Sequence, residues 1–377
     1  MATHDKPVSP DITQLRQLRQ LQVSSFRQMC YLLTFRTRAM LVMPETATTS
    51  THSVATEDGL LVEKFNSTEG LNELYAANGW ESDYRQIEPG ELEITVTGRA
   101  VGDVEFFREQ FSRRITSSTK SPCEIFSFVL AAHGELGRIQ GRRLGLGDLL
   151  LAPPCSRLDI VPTAGCDVLT IHIPAARFAD YAAALGADKS LDNKSGPTWY
   201  SSPSTNIDGI RQLALAMLAP SATLPEAEGI DWTLISSLLG FLSGEESSHE
   251  QRDPYGRASK HRIVERARKY VDIHLAEDIR IANLCEHCGV SLSTLERMFR
   301  RELDIAPKDY ILAARLATVR RKLWDDDYQS LTIAAVAMDS GFTHMSRFSQ
   351  QYRHHFGHLP SEDRDVGKEL IDKYREK

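Results

Sequence analysis

Two stretches in the last third of the chain place glycine, hydroxyl and basic residues at spacings suited to gripping a polyanion. In Ile281–Arg301, Gly289 is the residue type that enters the left-handed conformation without penalty, so it permits a tight turn between two helices. Ser291 follows as a cap for the second helix, and Ala282, Leu284, Val290, Leu295 and Phe299 give the pair facing apolar surfaces. Left outward are Ser293, Thr294, Glu296, Arg297, Arg300 and Arg301, polar groups that suit base-edge and phosphate contacts from the first turns of a helix. The same grammar returns in Ile333–Gly357. There Gly341 makes the turn, Ala334 or Ala337 is the small packing residue, and Phe342, Phe348, Tyr352 and Phe356 supply a core. His344, Met345, Ser346, Arg347, Ser349, Gln350 and Arg353 are expected outward, toward a duplex. As a helix, the intervening Pro307–Leu323 spans roughly 25 Å, which suits two reading helices in successive major grooves about 34 Å apart.

Other constellations carry less. Cys285-x-x-Cys288 has no second cysteine pair to close a structural zinc site, and both cysteines fall in a helix that must pack. His354-His355-x-x-His358 ends a basic helix and reads as a solvated or phosphate-facing surface. Arg268-Lys269 and Arg320-Arg321-Lys322 read either as solvated faces or as phosphate contacts. His133, Glu135 and His172 are the metal-ligand types of the β-rich region, without a His-x-His pair; they keep a metal-dependent cupin-type enzyme, fused to a DNA-binding module, as the alternative. No glycine-rich loop opens a helix at phosphate-binding spacing, so nucleotide hydrolysis is not expected, nor is any cofactor.

These residues need elements to position them. Residues 1–55 read as a poorly ordered or non-native extension. From about Leu60 to Ile173, alternation in Glu91–Thr97 and compact apolar runs at Ile125–Leu130, Leu149–Leu151 and Val168–Ile173 predict strands. Turn chemistry such as Glu88-Pro-Gly90 and Gly145-Leu-Gly-Asp148 separates them. Helical patterns follow at Phe178–Leu185, Ile207–Leu218 and Asp231–Leu242, suited to covering a barrel or pairing with a second subunit. Polar Gly244–Tyr255 reads as a linker, assigned to 244–258. The expected architecture is α+β. A cupin-like β-barrel sensor with a helical dimerisation segment (56–243) precedes an all-α tandem helix-turn-helix domain (259–365) and a tail (366–377).

Composition sets the boundary conditions. At 377 residues, with 41% hydrophobic and 25% charged residues, the chain reads as an ordinary folded protein of two or three domains. No apolar run reaches the roughly 18 residues of a membrane span. Six cysteines form no dense framework and no secretory pattern opens the chain, so a reducing cytoplasm is the expected location. The net charge of −7 conceals an asymmetry: Arg257–Pro360 holds 17 Lys/Arg against 13 Asp/Glu, a basic segment beside an acidic remainder.

The run Gly289-Val-Ser, Leu295-x-x-x-Phe299-Arg, Ala306-Pro307-x-x-Tyr310, Arg315-Leu316, Val336-Ala, Gly341-Phe342, Ser346-x-Phe348-Ser, Phe356-Gly357 and Pro360-Ser361 resembles the DNA-binding domain of AraC/XylS-type transcription regulators. The likeness covers roughly residues 260–365. It implies two helix-turn-helix units joined by a long helix, with Ser293, Thr294, Glu296 and Arg297 on the first reading helix and His344, Met345, Arg347, Ser349 and Gln350 on the second. Three positions depart from the pattern: Asp304 for a usual glycine, Gln350 for a frequent basic residue and Asp363 for a frequent aromatic. Residues 60–240 are similar to the β-rich sensor domains of the same family. The resemblance implies a homodimer on double-stranded promoter repeats and a small-molecule effector. If the regulator activates, RNA polymerase is a further partner. A constitutive regulator whose β domain only dimerises stays open.

Overall fold

A computed structural model describes residues 54–55, 59–186, 196–201, 205–220, 227–243 and 257–375. The N-terminal extension up to residue 53 and most of the expected linker lie outside the described residues.

The strands are β1 (Val54–Ala55), β2 (Leu61–Phe65), β3 (Glu81–Gln86), β4 (Ile94–Val101), β5 (Val104–Phe111), β6 (Ile115–Lys120), β7 (Ile125–Ala131), β8 (Gly137–Ile139), β9 (Arg142–Leu144), β10 (Asp148–Ala152), β11 (Arg157–Pro162), β12 (Asp167–Pro174) and β13 (Thr198–Ser201). One sheet runs β1-β2-β4-β5-β12-β7-β10-β13 and the other β3-β6-β11-β8-β9. Among the described strands each ladder ends in two edges, and two open sheets face each other where the sequence leads us to expect a cupin-like barrel.

The central strands are apolar on both faces and need cover on both sides. In β12, Val168 packs toward the second sheet while Leu169, Ile171 and Ile173 pack the other way. In β7 and β10 the same split separates Val129, Ala131 and Leu150 from Phe128, Leu130, Leu149 and Leu151. The second sheet covers one face. Helices α2 (Ala175–Ala184), α3 (Thr205–Met217) and α4 (Ala227–Ser243) cover the other, through Phe178, Ile207, Ile210, Leu234, Leu238 and Leu239. Helix α1 (Thr68–Ala77), capped by Ser67 accepting from the Gly70 N–H, packs on β3. Cys123 and Cys155 are brought together as a disulfide with their Cα atoms 4.4 Å apart.

The C-terminal helices are α5 (Arg257–Ile273), α6 (Ile281–Cys288), α7 (Leu292–Leu303), α8 (Pro307–Trp324), α9 (Ile333–Asp339), α10 (Met345–Phe356) and α11 (Pro360–Arg375). Two apolar clusters hold them: α5 to α8 around Leu284, Leu295 and Phe299, and α8 to α10 around Val336, Phe348 and Tyr352. Gly289 ends α6 at φ +65°, and Gly341 turns at φ +88°. At Gly341 a Cβ would sit 2.4 Å from the Leu275 carbonyl oxygen, so the turn admits no side chain. Asp304, the departure from a usual glycine, does adopt the left-handed conformation at φ +58°. Of the expected small packing residues, Ala337 is buried, whereas Ala282 is exposed because the first helix pair meets through Leu284 and Cys288 instead.

Candidate nucleic-acid interface and β-domain cavity

Helix α7 begins at Ser291, whose Oγ accepts from the Thr294 N–H at 3.3 Å. That bond satisfies one of the free donors of the first turn and orients the helix start. Ser293, Glu296, Arg297 and Arg300 fall at helical spacing on one exposed face, with Thr294 half-buried beside them. The opposite face buries Leu295, Met298 and Phe299. Helix α10 repeats the division. His344, Ser346, Arg347, Gln350 and Arg353 are exposed, Met345 and Ser349 are half-buried, and Phe348, Tyr352 and Phe356 are buried. Met345 in addition packs against the second helical cluster. Among the described residues Arg297, Arg300, Arg347 and Arg353 make no ion pair. Their guanidinium groups thus stand in water. The connector α8 has 18 residues and a length of about 27 Å.

Two sequence expectations are corrected by burial. Arg320 is neither solvated nor free for phosphate: it is 2% exposed, with Nη2 3.2 Å from Asp363 Oδ1 and Nε 3.5 Å from Glu69 Oε2. Its neighbours Arg321 and Lys322 are paired with Asp83 and Asp339. The His354–His358 cluster is not one surface. His354 is exposed, but His355 is buried with Nε2 3.2 Å from the Gln86 carbonyl, and His358 Nε2 lies 2.9 Å from Asp363 Oδ2. His133 and Glu135 are exposed while His172 is buried, and among the described residues no group of His, Cys, Asp and Glu is placed to hold a metal. Cys288 is buried in the helical core and Cys285 packs against it.

Sequence reasoning missed the surface that joins these helices to the β domain. Gln86 Nε2 donates to the His355 carbonyl at 3.1 Å, and that carbonyl also accepts from the Gly90 N–H at 3.0 Å. Arg85 pairs with Asp83 and with Asp272 of α5, and Arg138 Nε donates to the Arg301 carbonyl at 3.0 Å. The signal available in sequence was Asp363, a carboxylate where the resembled family often has an aromatic.

His355 supplies a test. Burial pushes its pKa down from 6.5 to about 4, so the unfolded chain binds the proton more readily. The stability associated with its neutral form is complete above about pH 6.5 and is lost as pH falls toward 4. At about 1.4 kcal/mol per pH unit the loss is on the order of 3 kcal/mol. Glu109 opposes it: burial raises this carboxyl to about 7, so its stability is complete at low pH and lost as pH rises through 4.5 to 7. The wild-type curve therefore hides both slopes. Relative to wild type, His355→Gln is expected to gain on the order of 3 kcal/mol between pH 7 and pH 4 in urea titrations, and parallel curves would refute the buried neutral histidine.

Between the two sheets lies a cavity of about 40 Å³, walled by Tyr75, Trp80, Tyr84, Glu109, Phe111 and His172 among others. Tyr75 donates its phenolic hydrogen to Glu109, and Tyr84 stacks on it at 5.4 Å. The wall is shared with the helical docking surface. Helix α1 carries Glu69 toward Arg320 and Tyr75 into the cavity wall; β3 turns Tyr84 inward, while Asp83 and Arg85 meet Arg321 and Asp272.

Residues 284–365 match the family described as Helix-turn-helix domain. The chain is 24% identical over 290 residues to the XylDLEGF operon transcriptional activator 3 of Pseudomonas putida, covering 72% of this chain and 81% of that one. It is 32% identical over 104 residues to the XylDLEGF operon transcriptional activator 2 of the same organism, covering 28% and 66%. Among solved structures, a transcriptional regulator of AraC-type DNA-binding domain-containing proteins from Chromobacterium violaceum is 28% identical, covers 29% of this chain and 96% of its own, and has a TM-score of 0.27.

Proposed function

The chain belongs to the AraC/XylS-type transcription regulators and carries their helix-turn-helix DNA-binding domain, and from that premise we propose that α7 and α10 read two successive major grooves of a promoter repeat. The observation that carries this reading is the pair of exposed faces, Ser293–Arg300 and His344–Arg353, held by a helix about 27 Å long. Arg297 and Arg347 are the base-reading residues. Ser291 and the neighbouring backbone N–H groups position the helix start against phosphate, as do Arg300 and Arg353. Thr294, Glu296, Ser346, Ser349 and Gln350 complete the two faces, with Met345 offering an apolar contact for a thymine methyl.

The remaining roles follow the resemblance. The protein works as a homodimer that places two such readers on repeated half-sites. It activates transcription, as the names of its relatives say of those proteins, and as an activator it takes RNA polymerase as a partner. A small-molecule effector in the β-domain cavity biases the arrangement of the two domains, and α1 and β3 are the elements both would share. Such a bias requires that the effector bind one arrangement more tightly than the other.

The test is binding of the full chain to DNA from upstream of its own gene, against random duplex of equal length, at several salt concentrations. The expected result is a preference of about a thousandfold or more, with affinity falling steeply as salt rises. Salt-dependent binding without preference would reduce the helices to a basic tether and overturn sequence reading.

A further inference from the structure

We propose that the cavity between the two sheets takes a small organic ammonium ion, with Glu109 as its counter-charge and aromatic rings as its wall. The proposal rests on the effector reading above and specifies its chemistry. Glu109 is 6% exposed, projects from β5 into the space between the sheets, and among the described residues forms no ion pair. Its recorded partner is the Tyr75 hydroxyl. Among the described residues no lysine or arginine lines the cavity. A buried carboxylate without a cation is costly, as the rise of its pKa to about 7 reflects. A chain selected for stability alone would place glutamine or an apolar residue there. A cation entering the cavity supplies the missing partner.

The rest of the wall points to the same class. Tyr75, Trp80, Tyr84 and Phe111 surround the carboxylate, with ring centroids 5.6 Å apart for Tyr75 and Trp80 and 6.3 Å apart for Tyr84 and Phe111. Clustered π-systems attract an ammonium group and present negative faces to an anion. Three further lining atoms, Ser117 Oγ, Ser127 Oγ and His172 Nε2, are buried without a hydrogen-bond partner among the described residues. They come from three strands of both sheets, and each can accept a hydrogen from an N–H donor. A carboxylate ligand would meet Glu109 unopposed. A hydrocarbon would leave all three polar atoms orphaned. A primary ammonium brings the charge and three N–H donors, one for Glu109 and two for the orphaned acceptors. With one water requiring about 10–15 Å³, the cavity of about 40 Å³ admits roughly three or four heavy atoms.

The full-length chain is titrated at pH 8 by calorimetry and by thermal melting with ethylammonium chloride, sodium propionate and ethanol, at matched ionic strength. The expected result is saturable one-to-one binding of ethylammonium, with no response to the other two. Glu109→Gln should weaken it about 10- to 100-fold, the scale of a charge-assisted hydrogen bond. Ser127→Ala, which removes one acceptor and no charge, should weaken it several-fold and shows that the loss is local. Glu109→Gln should also melt at or above the wild-type temperature at pH 8, which separates lost binding from lost folding. Ethylammonium binding unchanged in both variants would overturn the proposal. Propionate or ethanol binding in its place would overturn the ammonium class and leave the effector reading standing. With no response to any of the three, the cavity holds water only, and both readings of it fail.

Discussion

Arg320→Met is expected to destabilise the chain by about 3–5 kcal/mol, the cost of removing one partner from a buried charge cluster. Methionine conserves the length and apolar packing of the arginine stem and still lies against Phe356, whose ring centroid is 4.6 Å from the guanidinium carbon. What it cannot do is answer Glu69 and Asp363, which are 8% and 2% exposed and converge on the same guanidinium. Arg320 holds the Asp363 carboxyl below its ordinary range despite burial, with help from His358 and Tyr352. Glu69 is raised above its ordinary range because burial there outweighs the same guanidinium. Without the arginine both carboxyls must take up protons or draw in water. Urea denaturation at pH 7 reads the loss. Adding Glu69→Gln and Asp363→Asn to Arg320→Met should recover a large part of it, since replacing a whole buried ionic group is far milder than breaking it. A loss under about 1 kcal/mol for Arg320→Met would mean that the cluster is hydrated and that α1 is not tied to the helical domain through it.

The double variant Arg297→Ala/Arg347→Ala is expected to lose about 2–6 kcal/mol of specific DNA binding, roughly 30-fold to 10⁴-fold in affinity, while folding as stably as wild type. Each arginine accounts for about 1–3 kcal/mol if it makes a bidentate contact to a base. The two contributions should add, because the residues sit on different helices and share no partner. Stability should be unaffected, since both side chains are exposed and neither forms an ion pair among the described residues. Competition binding against operators with single substitutions checks the assignment: each single variant should become indifferent to the base at one position. A loss spread evenly over all sequences, with a shallower salt slope, would reassign both arginines to phosphate.

The helical third of the protein was legible because its signals are local. Gly289 and Gly341 mark turns of three and five residues between helices, and Leu295, Phe299, Phe348, Tyr352 and Phe356 recur at helical spacing whatever lies elsewhere. The outward faces of α7 and α10 follow by subtraction once the buried stripe is known. The strands of the β domain were legible as strands for the same reason, from short apolar runs between turns.

Closure of the sheets, by contrast, depends on which strand pairs with which, and no local pattern encodes that choice. The same holds for individual polar residues. Arg320, Arg321 and Lys322 are one basic run in sequence, yet the helix period sends the first inward to Glu69 and Asp363 and the others outward. His355 differs from His354 by one helical step, and burial against Gln86 comes from the β domain, hundreds of residues away in the chain. Glu109 gave no sign at all, since Phe107-Arg108-Glu109-Gln110 reads as an ordinary mixed strand and its isolation arises from the rings of α1, β3 and β5 around it. The sequence by itself determined the turns, the apolar stripes, the outward basic faces and the family resemblance. Tertiary structure decided which charges are withdrawn from water and against what, because desolvation depends on neighbours that only folding brings together.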